Sequence, residues 1–331
     1  MDLSIIVPVY NVEKYIRPCI ESIFRQGLND TDYEVIIVND GTKDQSMEMI
    51  ADIIQQHNNI TVINQENQGL SVARNNGIAA AKGEYNLMPD SDDLLIGNSL
   101  KPLLEKALET KADLVVADFL TMTDEEINNF FKEDFKQPEP QYKKVVGEQI
   151  FLEVLNPYNC YVWRSLYRRG FLITENLTFY PGIRYQDIPF THECCLKAKD
   201  CICSNIRLNI YRNWPGSTTK AYKFENSKHF ITAIALTWKL RQNEDLSSDM
   251  LYKLEENVYI SFRTMIYNTL HGIKEKKDRY ALIDYVNFQA PDLKLTHNMR
   301  QRLITMMIKK MPHFFINIYY QYAKIAYNIS H

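Results

Sequence analysis

Apolar positions in the first third of this chain fall in short unbroken runs, each closed by polar or turn-forming residues. Leu3-Ser4-Ile5-Ile6-Val7-Pro8-Val9 is the first and Tyr33-Glu34-Val35-Ile36-Ile37-Val38 the second. Ile60-Thr61-Val62-Ile63 is a third, and Asp113-Leu114-Val115-Val116-Ala117-Asp118 comes later. Runs this short and this rich in β-branched residues predict strands, and their near-continuous apolar character predicts burial on both faces. Helical patterns lie between them, over Val12 to Phe24, Ser46 to Gln56, Leu70 to Lys82 and Leu94 to Glu109. The alternation predicts an α/β fold, a mostly parallel sheet flanked by helices. Thr123 to Lys144 is polar, acidic and proline-bearing, and reads as an excursion or linker. From about Phe224 the pattern is helical and rich in Tyr, Met and Lys, which divides the chain into an α/β domain over 1–222 and a mainly helical region over 223–331.

Composition narrows the class. The 331 residues are 45% hydrophobic and 24% charged, ordinary globular material for one large or two smaller domains. A net charge of −3 gives no support to a nucleic-acid surface. The chain opens with Asp2 and a strand-like run, so no signal peptide is expected, and no apolar run is long enough to span a bilayer. The six cysteines (Cys19, Cys160, Cys194, Cys195, Cys201, Cys203) form no Cys-x-x-Cys pair. They are expected to be reduced structural thiols in a cytoplasmic protein, with a zinc site between Cys194 and Cys203 as the alternative.

The chemistry concentrates at the predicted strand ends, where ligands bind in open parallel sheets. Tyr10-Asn11 follows the first strand, Asn39-Asp40-Gly41 the second, and Asn67-Gln68-Gly69 the third. After a further short strand comes Met88-Pro89-Asp90-Ser91-Asp92-Asp93. Three carboxylates within four residues repel one another unless a cation lies among them, and oxygen ligands without His or Cys favour Mg²⁺ or Mn²⁺. The competing reading is an acidic loop capping a helix that begins near Leu94. No Gly-x-Gly-x-x-Gly follows the first strand and no Gly-Lys-Ser/Thr loop occurs, so Rossmann dinucleotide and P-loop phosphate binding lose their main signature.

Together these segments resemble the family 2 glycosyltransferases of GT-A fold. The resemblance runs from Leu3 to about Thr219 and rests on Val7-Pro8-Val9-Tyr10-Asn11, Asn39-Asp40-Gly41-Thr42, Asn67 to Asn75 and Asp90-Ser91-Asp92-Asp93. It implies an inverting enzyme of polysaccharide biosynthesis that moves a sugar from a UDP-sugar to a glycan or lipid-linked oligosaccharide, with Mn²⁺ or Mg²⁺ on the leaving diphosphate. By the resemblance, Pro8, Tyr10 and Asn11 shape the nucleotide pocket, and Asp40 accepts from the uracil N3–H. Arg74 lies near the diphosphate or the acidic cluster, Asp90 contacts the ribose or sugar, and Asp92 holds the metal. Asp187 is the general base, after Tyr180-Pro181-Gly182, but Gln186 stands where the family carries an acidic residue. Glu193 is a weaker alternative base.

Tyr211-Arg212-Asn213-Trp214-Pro215-Gly216-Ser217-Thr218-Thr219 resembles a loop that closes over the diphosphate, with Arg212 or Lys220 supplying positive charge. Trp163 and Arg164 are candidates for the acceptor subsite, with a core role for Trp163 as the alternative. Two rival functions are a sugar-nucleotide nucleotidyltransferase, which would need a glycine-rich basic loop after the first strand, and a non-catalytic scaffold of the same fold. Near the C-terminus Phe315, Ile318, Tyr322, Ile325 and Ile329 follow one face of a last helix, with Lys309, Lys310 and Lys324 nearby. This pattern suits a peripheral contact with the inner face of the cell membrane, or packing on the core or a partner.

Overall fold

Central parallel strands are shielded on both faces, and the first apolar run shows the consequence: every residue of β1 (Leu3–Val9) is buried. The computed structural model describes residues 1–130, 132, 135–155, 159–213, 224–243, 245–295 and 298–326. They divide into two compact units. The first comprises Met1–Ile150, Tyr161–Gly182 and Cys194–Trp214; the second comprises Phe151–Cys160, Ile183–Glu193 and Pro215–His331.

In the first unit β1 pairs in parallel with β2 (Tyr33–Asn39) along its whole length, and β2 with the half-exposed edge strand β3 (Ile60–Asn64). Helices α1 (Ile16–Ile23), α2 (Ala51–Gln56) and α3 (Leu70–Ala80) connect these strands and lead to β4 (Tyr85–Leu87). β4 returns to the other side of β1 but pairs only with Leu3, Ser4 and Ile5. The C-terminal half of β1 therefore lacks a neighbour on that side, and the sheet opens where the chain reverses its order of addition.

The rest of the sheet departs from the mostly parallel expectation. β5 (Leu94–Leu95), β6 (Leu114–Met122), β7 (Tyr142–Val145), β8 (Ser165–Arg168) and β9 (Cys201–Arg212) complete it in the order β3-β2-β1-β4-β8-β6-β9-β5, with β7 also on β9. β8 runs antiparallel to both β4 and β6, and β5 and β7 run antiparallel to β9; only β6 and β9 are parallel here. The expected helix from Leu94 begins later, as α4 (Leu100–Thr110), because Leu94 and Leu95 pair with Ile210 and Asn209. The expected excursion after Thr123 contains α5 (Asp124–Phe130) as well as β7. A short helix α6 (Gly147–Gln149) and α7 (Arg169–Thr174) follow.

Helix α8 (Asp187–Lys197) is shared between the units. The second unit adds α9 (Phe224–Lys239), α10 (Ser248–Gly272), α11 (Lys276–Gln289), α12 (Met299–Lys310) and α13 (Pro312–Ala326), with Trp238, Leu254, Val258 and Phe262 buried among them. Its fully buried His192 is held neutral. Nδ1 lies 2.7 Å from the Ile188 carbonyl and so carries the proton, and Nε2 accepts from Asn257 at 3.1 Å. Burial pushes its pKa down to about 4.

Gly83, just before β4, lets two backbones meet. A Cβ there would stand 2.4 Å from the Leu3 carbonyl carbon and the Ser4 nitrogen, neither of which can yield without moving β1. Gly83→Ala should therefore cost about 1–3 kcal/mol, the range for overpacking a close-packed interior. Urea unfolding checks this; an unchanged midpoint would show that β1 is free to shift.

Candidate functional site

The loops beyond β1 and β2 are bound to each other. Pro8 is buried in β1 opposite Val38, beyond the last β4 pair, where the missing N–H of proline leaves no ladder bond unmade on that side. Asn11 adopts a left-handed backbone, its N–H donating to Thr42 Oγ1 at 2.8 Å and its Oδ1 accepting from Lys43 N–H at 3.2 Å. Tyr10 beside it is exposed.

Asp40 is only 3% exposed and accepts four hydrogen bonds. Oδ1 takes Gln65 Nε2 at 2.7 Å and Gln68 N–H at 2.8 Å; Oδ2 takes Asn67 Nδ2 at 3.2 Å and Gly69 N–H at 2.9 Å. A carboxylate offers about four lone-pair positions, so Asp40 is saturated. In this geometry it fastens the Gln65–Gly69 loop to β2. Gly41 follows in a left-handed conformation, where a Cβ would stand 2.9 Å from the Asn67 nitrogen.

At the end of β4, Asp90, Asp92 and Asp93 bring carboxylate oxygens within 4.8 Å of one another, and among the described residues no other His, Cys, Asp or Glu grouping is arranged to share an ion. The Cys194–Cys203 segment forms no such group. Two arginines brace the acids. Arg74 of α3, 2% exposed, donates through Nη2 to Asp90 Oδ1 at 2.5 Å. Arg212, at the end of β9, donates its backbone N–H to Asp93 Oδ1 and its Nε to the Asp92 carbonyl, both at 2.8 Å. The Arg212 guanidinium also pairs with Asp124, the first residue of α5, and lies over the Tyr15 ring. Asp93 Oδ2 is buried without a hydrogen-bond partner.

Burial pushes the Asp90 and Asp93 carboxyls above the usual carboxylate range. Asp92 adds to this in both, whereas Arg74 opposes it at Asp90. Compact, acidic and oxygen-only, the cluster fits a hard divalent cation.

The other sequence candidates lie elsewhere. Trp163 is 2% exposed and clusters with Tyr161 (4.7 Å) and Tyr211 (5.7 Å), whose rings also lie 5.5 Å from each other, with Phe119 edge-on. Arg164 is also buried and gives both Nε and Nη2 to the Ala117 carbonyl. Both support the wall beneath half-buried Tyr161 and Tyr211 and present no open face of their own. Asp187 is half-buried in the first turn of α8, in the second unit, next to buried Gln186; Glu193 follows on the same helix. Trp214 to Thr219 and Lys220 lie outside the described residues.

Two contributors went unassigned in the sequence. Asn75 exchanges bonds with the backbone of Phe179 (Nδ2 to the carbonyl at 2.8 Å, Oδ1 from the N–H at 2.9 Å), which anchors the start of Tyr180-Pro181-Gly182. Its place beside Arg74 in a quoted motif was a usable signal. Asp124 had none, since its segment reads as linker.

A cation that binds only the folded chain should raise its melting temperature, by about 2.7 kcal/mol of stability at a hundredfold excess over Kd. Because Asp90 and Asp93 are raised, the folded chain holds protons above the ordinary carboxylate value, and the metal must displace them. Lowering pH from about 7 to about 5 should then shrink the Mn²⁺-induced shift in a thermal melt. A shift independent of pH would exclude these carboxylates as the ligands.

The profile of the family described as Glycosyl transferase family 2 matches residues 4–172. EpsJ of Bacillus subtilis strain 168, named an uncharacterized glycosyltransferase, is 36% identical over 234 residues, 69% of this chain and 66% of its own length. Among solved structures, S. aureus TarS 1–349 in complex with UDP-GlcNAc superposes with a TM-score of 0.69 at 20% identity, over 98% of this chain and 92% of that one. The mannosyltransferase PcManGT from Pyrobaculum calidifontis, in complex with GDP-Man and Mn²⁺, gives 0.56 at 15% identity, over 98% and 87%. These likenesses establish the GT-A fold.

Proposed function

Because this chain belongs to the family 2 glycosyltransferases, we propose that it transfers a sugar from a UDP-sugar to a hydroxyl of a glycan or lipid-linked oligosaccharide, inverting the anomeric configuration. The observation that carries this reading is the Asp90–Asp92–Asp93 cluster, braced by two buried arginines where the sheet opens. UDP-GlcNAc in TarS favours a uridine donor, and Mn²⁺ in PcManGT favours a divalent metal.

Pro8, Tyr10 and Asn11 form the nucleotide side of the pocket, and Asp40 contributes by holding the Gln65–Gly69 loop around it. A uracil N3–H would have to displace one of the four donors that Asp40 already accepts. Asp92, with Asp90 and Asp93, holds the metal, which when bound neutralises charge on the leaving diphosphate. Arg74 keeps Asp90 in place, and Arg212 sets a positive charge beside the cluster. Asp187 takes the proton of the acceptor hydroxyl as its oxygen bonds to the anomeric carbon and the bond to UDP breaks. Trp163 and Arg164 stiffen the aromatic wall on the acceptor side. On this reading the 1–222 domain carries the donor site and the base, and 223–331 is the acceptor- or membrane-associated region. The acceptor is reached through a peripheral membrane contact of the C-terminal helices; among the described residues no helix is long and apolar enough to cross a membrane.

Calorimetric titration of UDP, CDP and GDP, with Mn²⁺ and with EDTA, tests the donor site. UDP should bind selectively and only with metal. Folded protein that binds no nucleotide under either condition would instead make the chain a non-catalytic relative. Asp92→Ala should abolish the metal dependence of UDP binding. Asp187→Asn should keep UDP affinity yet slow transfer by about 10²–10⁴-fold, the usual worth of a general base; normal turnover would move that role to Glu193.

A further inference from the structure

Taking the acceptor to be lipid-linked, as proposed above, we infer that α12 and α13 form a docking face for an anionic lipid bilayer. α12 leaves Met299, Leu303 and Met306 exposed, and α13 leaves Phe314, Ile318 and Tyr322 exposed. Spacings of three and four residues make each set one stripe along its helix. The opposite sides hold the helices within their unit. Gln301 and Ile308 are buried on α12, and Phe315, Ile316 and Tyr320 on α13, the Tyr320 ring lying under Arg279 of α11. Phe315, grouped by the sequence pattern on one face with Ile318 and Tyr322, is thus an inward residue, and the exposed stripe begins one position earlier, at Phe314. Met311, at the break between the helices, is exposed as well.

Charge selects the occupant. From Leu293 to His331 the chain carries six of its 38 Lys and Arg and none of its 41 Asp and Glu, although the whole chain is net negative. Lys294, Arg300, Arg302 and Lys310 are exposed. Two acids of the neighbouring segments have partners: Asp284 lies 2.8 Å from His313, and Asp292 pairs with Arg241. A second copy of this chain would bring the same basic helices face to face, and a neutral bilayer would offer the bases nothing. An anionic bilayer satisfies both features, with apolar side chains at the headgroup–acyl boundary and basic ones at the phosphates.

The full chain should be sedimented with vesicles of phosphatidylcholine alone or with about 30 mol% phosphatidylglycerol. Binding should be at least about tenfold tighter to the anionic vesicles, and should weaken as salt rises from about 0.05 to about 0.3 M. Phe314→Ser with Ile318→Ser, both at exposed positions, should lose about tenfold in vesicle affinity. The melting temperature and UDP binding of that variant should not change. Lys294→Glu with Lys310→Glu should remove the preference for anionic lipid. Equal binding to both vesicle types, or none by folded protein, would overturn the inference. So would a dimer, seen by light scattering, that Phe314→Ser with Ile318→Ser abolishes while vesicles go unbound. Absent UDP binding with intact vesicle binding would refute the donor site and leave this face standing.

Discussion

Repulsion among Asp90, Asp92 and Asp93 is the constraint around which the first unit is organised. Two carboxylates about 4 Å apart near a protein surface oppose each other by about 4 kcal/mol, and here three meet, Asp93 buried and the other two half-buried. The cluster is tolerable because positive charge reaches it from two separate elements, Arg74 from α3 and Arg212 from β9. Neither arginine is close in sequence to the other, so the long-range topology has to be correct before the cluster can be held. A divalent cation among the three acids would relieve the same repulsion, which would tie the stability of the site to its ligand.

The unusual second half of the sheet follows from that requirement. Arg212 reaches the acids only because β9 runs parallel to β6 and pairs with β5, whose two residues directly follow the cluster. Asp124 then holds the far side of the Arg212 guanidinium from the first turn of α5. A segment that reads as a linker thus closes the charge network. Asp40 serves a comparable role with hydrogen bonds alone, its saturated carboxylate fixing the loop that leads into α3 and so into Arg74.

Legibility in the sequence tracks how locally each element is specified. β1 and β2 announce themselves because burial on both faces makes them continuously apolar, and α3 because its boundaries carry glycine and a periodic face. Leu94-Leu95 is a strand only by virtue of Ile210 and Asn209 more than a hundred residues away, so its local pattern reads as helix. The acidic cluster was legible because charge density needs no partner to be noticed. Saturation of Asp40 and burial of Trp163 and Arg164 were not, since both depend on neighbours that one sequence does not locate. Phe314 and Phe315 show the limit within one helix: adjacent phenylalanines are interchangeable in a periodic pattern until packing decides which faces inward.

One turn of α3 holds both the acidic cluster and the start of the Tyr180-Pro181-Gly182 segment. Arg74 is bonded to Asp90, and its guanidinium lies 5.2 Å from the Phe179 ring; Asn75, the next residue, clamps the Phe179 backbone in both directions. Phe179 opens the Tyr180-Pro181-Gly182 segment, and the chain reaches Asp187 eight residues after it. A displacement of α3 would therefore disturb Asp90 and the start of the Tyr180-Pro181-Gly182 segment at the same time. Paired hydrogen bonds of this kind resist small shifts better than apolar contact, because moving either partner leaves a buried amide or carbonyl unsatisfied.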